Sequence, residues 1–309
     1  MTDLASQPTI SETAAPRPDT TLWQAVVLVA VTLLAYFPVT SAGFIWNDDD
    51  LTAILKLIDQ GGLSAVWLSS EAFNYWPMTW TSYWIEHQLF GTDPATGLPF
   101  PTSYHIVNVL LHAISSLLLW RVLTRLEVPA AWLVAAVFAV HPVNVESVAW
   151  ITQRKNVLAL FFYLVALGQF LDFEQTHHPR RYLASVLAFL LAMLSKGAVV
   201  AMPLVLLLLA WWRRGRITRT DLVRSVPFLV VAVVMSTVEI WFQQVRAIGD
   251  ETIRDASLAE RIMATGPIAW FYLQKTLLPL ELAFVYPLWQ FQTTQASLWI
   301  PLAAGIALL

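Results

Sequence analysis

Residues 22–42 contain no charged side chain. An α-helix rises about 1.5 Å per residue, so roughly twenty apolar residues cross the about 30 Å of a bilayer's hydrocarbon. Comparable apolar runs recur at 105–123, 130–140, 157–173, 182–212 and 226–242. With 57% hydrophobic and 13% charged residues and a mean hydropathy of +0.61, the chain reads as an all-α polytopic membrane protein with seven or more spans. Its fifteen Trp and sixteen Phe suit interfacial belts and packing between helices. The net charge of −3 carries no nucleic-acid footprint. The absence of cysteine excludes a disulfide framework and thiolate chemistry. Residues 1–20 are polar and Pro-rich, which predicts a disordered cytoplasmic N-terminus. They lack a basic n-region and a cleavage signature, so the first apolar run is a retained helix.

Charge placement orients the spans. Residues 43–104 hold seven acids, Asp48, Asp49, Asp50, Asp59, Glu71, Glu86 and Asp93, against one base, Lys56. By the positive-inside tendency this segment is a long first extracytoplasmic loop. Within it, 52–58 and 65–67 suit short interfacial helices, and the Trp- and Tyr-rich 75–87 suits the membrane surface. The second span leaves through Arg121 and Arg125, a cytoplasmic exit, and Pro129 opens the third. Residues 141–156 then form an outer loop. The run 182–212 is broken at Ser195-Lys196-Gly197. A hairpin there puts Arg180 and Arg181 on the same side as the basic cluster from Arg213 to Arg224, with Lys196 at its outer tip. Residues 262–278 look apolar enough to cross, yet the loop after them has an outward character. They are therefore re-entrant or interfacial, or else precede an atypical cytoplasmic loop. The apolar run 299–309 has no basic flank, as in the front of a longer protein. The chain has no 34-residue repeat, P-loop, HExxH, GxSxG or zinc spacing.

Chemistry concentrates on the outer side. In Phe-Ile-Trp-Asn-Asp-Asp-Asp, residues 44–50, three carboxylates stand where a spanning helix has barely left the bilayer. Low-dielectric surroundings make ionisation costly and tune an acid toward accepting a proton; the alternative is a solvated loop or helix cap. His105, Asn108 and His112, at i, i+3 and i+7, share one helical face and either line the site or hydrogen-bond between helices. His141, Glu146, Arg154 and Lys155 cluster in the next outer loop. Two bases there need an anion, either Glu146 in a local ion pair or a phosphate. Lys196 adds a third base, or simply snorkels. Acids that take a proton from a hydroxyl, beside cations that hold phosphate, are what transfer from a lipid-linked phosphate requires. A transporter would show interrupted helices in symmetric halves, and no such repeat is present. A hard divalent cation on Asp48, Asp49 and Asp50 stays open, although three acids are a short ligand set.

The ordered series FIWNDDD, YWPMTWTSYWIEHQLFG (75–91), YHIVNVLLHA (104–113), FAVHPVNVESVAWITQRKNVL (138–158) and LSKGAVVAMPLVLLL (194–208) resembles the membrane module of bacterial proteins that carry tetratricopeptide repeats. That module is similar to the animal transmembrane O-mannosyltransferases and more distantly to other GT-C glycosyltransferases. The resemblance covers nearly all of residues 22–290. It implies a GT-C-like helical bundle, here 21–309, in a bacterial inner membrane with its site facing the periplasm or exterior. It implies an inverting transferase of hexosyl or mannosyl type using a polyprenyl-phosphate sugar and an acceptor hydroxyl of a protein or glycan. The paired catalytic acids fall on Asp48 and Asp49; the HP-x-x-x-E element falls on His141, Pro142 and Glu146, and the following Arg on Arg154. Lys155, Lys196 and His105 complete the expected donor-binding set. The chain departs from the animal proteins at Trp76, where they have Arg, and at Gly197, where an acid is common. A carrier or assembly protein for lipid-linked glycans, or a silent membrane anchor for a repeat domain, is the alternative reading.

Overall fold

A computed structural model describes residues 21–94, 96–248, 257–283, 285–286, 289 and 296–307. The expectation for residues 1–20 lies outside them. Among the described residues the chain is all-α, joined by short 3-10 turns, with one isolated bridge between Thr92 and Pro99.

Seven helices run back and forth between two ends. They are α1 (Thr21–Tyr36), α5 (Pro101–Arg125), α6 (Ala131–Val140), α8 (Arg154–Thr176), α9 (Pro179–Ser195), α10 (Met202–Arg214) and α11 (Arg219–Phe242). The long segment between α1 and α5 folds into α2 (Asp49–Gly61), α3 (Ser64–Trp67) and α4 (Pro77–Phe90), and a one-turn α7 (Val145–Ala149) lies between α6 and α8. Among the described residues, five stretches are long and apolar enough to cross a membrane: Thr21–Ser41, Pro101–Arg125, Ile151–Thr176, Gly197–Arg214 and Arg219–Arg246. The pair Ala131–Val140 and Pro142–Ala149, bent by 52°, makes a sixth when taken as one broken span. Pro142 sits at the break, where the ring removes a donor and fixes φ. With 17 residues, α9 is slightly shorter and runs beside them. The molecule is a polytopic helical membrane protein.

Ion pairs mark one end. Arg125 pairs with Asp172, Arg213 and Arg214 with Glu174, and Arg214 also with Asp221. Because α9 starts at this end beside Arg181 and α10 finishes there, residues 179–214 form a hairpin whose tip, Lys196, lies at the opposite end. Within the bundle, burial between helices brings little hydrophobic gain, because lipid tails are as apolar as leucine, and close packing takes over. Small residues accordingly line the α8–α9 contact. Ala159, Ala166, Ala188 and Ala192 are buried, and the Ser185 hydroxyl donates to the Ala166 carbonyl at 2.6 Å.

At the other end the first loop is a folded layer. Leu51, Ile54, Leu55 and Ile58 of α2, spaced i, i+3, i+4, i+7, bury one stripe against Trp76, Trp80, Tyr83 and Tyr104. The aromatic stretch 75–87 therefore does more than lie on a surface: as α4 it is wedged between α2, α5 and α9. The Thr79 hydroxyl bonds the Ser195 carbonyl at 3.1 Å and the Tyr83 hydroxyl the Ile151 carbonyl at 2.7 Å.

Residues 262–278 correct the sequence reading. They fall in α12 (Leu258–Leu277), which is not among the helices apolar enough to cross, since Glu260, Arg261 and Lys275 break its hydropathy. It packs on α13 (Ile300–Ala307), and its Tyr272 and Lys275 come beside Pro142 and Glu146.

Candidate active site

The aspartate triplet lies against the 141–156 segment, but its three members have different surroundings. Asp48 is 1% exposed: Oδ2 accepts the Ile45 N–H at 2.8 Å and Oδ1 the Thr152 N–H at 3.0 Å. Beside it, the Thr152 hydroxyl bonds Asn47 Oδ1 at 3.2 Å. Asp48 thus fastens the start of the first loop to the turn that leads into α8. Asp49 is exposed in the first turn of α2, where carboxylates favour the positive end of the helix dipole. Asp50 is half-buried. It accepts from Asn47 Nδ2 at 3.0 Å and lies in the field of Lys155. Burial pushes its carboxyl above the usual aspartate range, while the Asn47 hydrogen bond and Lys155 pull it back.

Successive helical positions point about 100° apart, so the triplet does not converge. Among the described residues no group of three His, Asp or Glu is arranged to hold a metal ion. The backbone just before is strained, with Trp46 at φ 47°, a left-handed conformation that costs a bulky residue about 1–3 kcal/mol and clusters at functional sites.

Residues 154–156 are not loop but the first turn of α8. Cations there oppose the helix dipole and need partners. Arg154 is completely buried, and each of its three nitrogens donates within the protein. Nε bonds Asn108 Oδ1 at 2.8 Å, Nη1 bonds Glu86 Oε2 at 2.6 Å and Nη2 bonds the Tyr104 carbonyl at 2.9 Å. Its guanidinium also lies 4.6 Å from the Tyr83 ring centroid. Arg154 is therefore placed to join α4, α5 and α8 rather than to meet a phosphate. Glu86, which sequence reasoning left among the loop acids, is its partner.

Lys155 and Lys196 are differently placed, and Lys196 lines a cavity. Lys155 Nζ lies 4.6 Å over the Trp76 ring, in the field of Asp50, Glu146 and Lys196. Lys196 follows α9, its Nζ 2.5 Å from Asn156 Oδ1. Burial holds its ammonium below the ordinary value, and Glu239 and Glu146 raise it in part. From Lys196 and Asn156 a cavity of about 270 Å³ runs along Ala159, Leu160, Tyr163, Ala198 and Val199, a polar head on an apolar trough.

Glu146 is exposed on α7 and lines a second cavity of about 470 Å³ with Val143, Tyr272 and Lys275. His141 caps its own turn, Nδ1 accepting the Val143 N–H at 3.2 Å. On α5, Asn108 donates to the Trp150 and Ile151 carbonyls at 3.3 and 3.4 Å, and His112 Nε2 meets the Ala139 carbonyl at 2.9 Å. His105 is 2% exposed; neither ring nitrogen makes a hydrogen bond of good geometry, and backbone groups of Ala149, Gly43 and Ala42 face it. The structure thus brings Asp50, Lys155, Lys196 and Glu146 into one electrostatic neighbourhood. Arg154, Asp48 and His112 serve the frame around it.

Glu239, near the end of α11, was missed. Its Oε1 accepts the Trp76 Nε1–H at 3.1 Å and its charge acts on Lys196. A lone acid in the apolar run 226–242 was the available signal, because ionisable groups are rare in spans unless they do something.

Residues 100–241 match the family model for dolichyl-phosphate-mannose-protein mannosyltransferase. Protein O-mannosyl-transferase Tmtc2 of Drosophila melanogaster is 27% identical over 319 aligned positions, covering 90% of this chain and 33% of the relative. Protein O-mannosyl-transferase TMTC4 of Mus musculus is 29% identical over 181, covering 50% and 24%. For protein O-mannosyl-transferase F38B6.6 of Caenorhabditis elegans the figures are 25% over 158, covering 46% and 22%. The chain is similar to the animal transmembrane O-mannosyltransferases and spans about a third or less of the length of these relatives.

Proposed function

We propose that this chain is the membrane-embedded module of an inverting protein O-mannosyltransferase of GT-C type. It takes mannose from a polyprenyl-phosphate donor and passes it to a protein hydroxyl on the extracytoplasmic side. The observation that carries the reading is the placement of Asp50 in the field of Lys155, which in turn faces Lys196 at the head of an apolar trough along α8. An anionic head on a long apolar tail fits that shape, with the tail entering from the bilayer.

In this reading Asp50, with exposed Asp49 beside it, takes the proton of the acceptor hydroxyl. Of the expected pair Asp48 and Asp49, Asp48 is the positioning residue, because its oxygens already hold two amides. As the acceptor oxygen bonds to the anomeric carbon, the bond from that carbon to the phosphate oxygen breaks. The electron pair leaves with polyprenyl phosphate, whose added charge Lys155 and Lys196 offset. One displacement inverts the anomeric centre. The bacterial inner membrane and a periplasmic site, implied by the resemblance, complete the proposal. So does the division into a 1–20 tail and a 21–309 module whose first outer loop is 43–104.

The test is sugar transfer from polyprenyl-phosphate mannose to a Ser/Thr peptide by reconstituted protein. Asp50→Asn is expected to lose about 10²-fold in rate, as removal of a general base does, and Lys196→Met to weaken donor binding. Full activity for Asp49→Asn, Asp50→Asn and Asp48→Asn alike would overturn the proposal. Labelled lipid crossing vesicles with no transfer would point to a carrier instead.

A further inference from the structure

Glu239 and Gly197 occupy one another's space. An ideal Cβ built on Gly197 would fall on the Glu239 carboxylate, so α11 delivers into the hairpin tip the acid that residue 197 cannot carry while Glu239 is there. The backbone at Gly197 is not in the left-handed region, so the glycine is required for room and not for conformation. The carboxylate then has one hydrogen-bond partner and one cation in its field. Oε1 holds the Trp76 indole N–H at 3.1 Å, and its charge acts on Lys196. The face of the same indole carries the Lys155 ammonium. A single acid, lodged against the glycine, therefore lies next to Lys196, which lines the trough, and shares Trp76 with Lys155.

From this geometry we infer that Glu239 is a resident counter-ion: lodged against Gly197, it acts on the neighbouring Lys196 through its field and on Lys155 through Trp76, and it yields Lys196 to the donor's phosphate when the lipid enters. The inference rests on the reading of Lys196 as a phosphate-binding cation. Two half-buried cations without an anion repel each other and pay a desolvation cost, so an empty site needs an internal charge. That charge must also compete with the ligand. Glu239 is a positioning residue in this scheme, since it acts through the lysines and not on the reacting atoms. The other charges facing Lys196 are Lys155 from α8 and Glu146 from α7. Glu146 is exposed on a one-turn helix, so Glu239 is the better fixed of the two acids.

The experiment uses the whole chain in nanodiscs with polyprenyl monophosphate as the probe. Glu239→Gln preserves shape and the acceptor oxygen for Trp76 but removes the competing charge. Its dissociation constant for the probe at neutral pH is expected to tighten at least threefold, with KM for the sugar donor falling and kcat falling as the product lipid leaves more slowly. An unchanged or weaker dissociation constant overturns the inference. Relocation gives a second readout. Glu239→Ala also removes the acceptor that holds Trp76 and so should lose most of kcat/KM, Gly197→Asp alone should be impaired because two carboxylates contend for one volume, and the double change should recover to within about threefold of the parent. Failure of the double change in a protein that melts like the parent also overturns it. Lys196→Met separates the two levels. If it leaves probe binding intact, the phosphate reading of Lys196 has failed. If it weakens binding while Glu239→Gln does not tighten it, only the counter-ion inference has failed.

Discussion

Asp50 illustrates how three identical neighbours acquire different chemistry. Its carboxyl is held above the ordinary aspartate range chiefly by burial. Transfer that needs the ionised form should therefore fall as pH drops through a value higher than that of an unperturbed aspartate. Because the folded-state pKa is raised, the native state holds the proton more tightly than the unfolded chain. Asp50 thus contributes stability at low pH that is lost as pH rises through the folded value. A pH–rate profile of Asp50→Asn should lack the acid limb of the parent; retention of that limb would assign it to another group. Arg154 is the opposite case, a charge with no chemistry left to offer. Replacing it by Met strands the Glu86 carboxylate, which is 3% exposed. That should cost about 3–5 kcal/mol, with part recovered by the double change Arg154→Met, Glu86→Leu. Thermal melting of detergent-solubilised protein checks both. The charged residues around residues 141–156 were legible in the sequence as a cluster. Their division into working and supporting members was not, because Glu86 and Asn108 reach Arg154 across 68 and 46 residues.

At the scale of elements, hydropathy located the spans and the break at the hairpin tip, since both follow from local composition. It misplaced the start of α8, where Arg154 and Lys155 look like loop residues until their partners are known. It also overrated α12, whose apolar middle conceals charged ends. The interface of α8 and α9 depends on small side chains. Ala192, fully buried there, should not tolerate enlargement: Ala192→Leu is expected to destabilise by about 1–3 kcal/mol through overpacking. Ala136→Leu, on a partly buried face of α6, is the comparison. Equal melting of the two variants would show that the contact is looser than described. In the first loop, Leu55→Ala should cost about 2–5 kcal/mol, because α2 is held by its buried stripe.

The whole molecule has a polarity that can be measured. One end gathers Arg125, Arg181, Arg213 and Arg214 with their acids, and the other holds α2, α4 and the site. Because the chain has no cysteine, single introduced thiols report without background. Leu68→Cys, beside α3, should react with a membrane-impermeant maleimide added from outside the cell. Ile217→Cys, between α10 and α11, should react only after lysis. The reverse pattern would turn the site toward the cytoplasm and end the transferase proposal in its present form.

The knot at Arg154 also bears on how such a chain can change over generations. Three helices meet on one guanidinium through Glu86, Asn108 and the Tyr104 carbonyl. Any lone replacement leaves an orphan behind, so drift at these positions should be concerted. Lineages that lose the arginine should have lost the glutamate with it, and surveys of divergent homologues should find few forms in between.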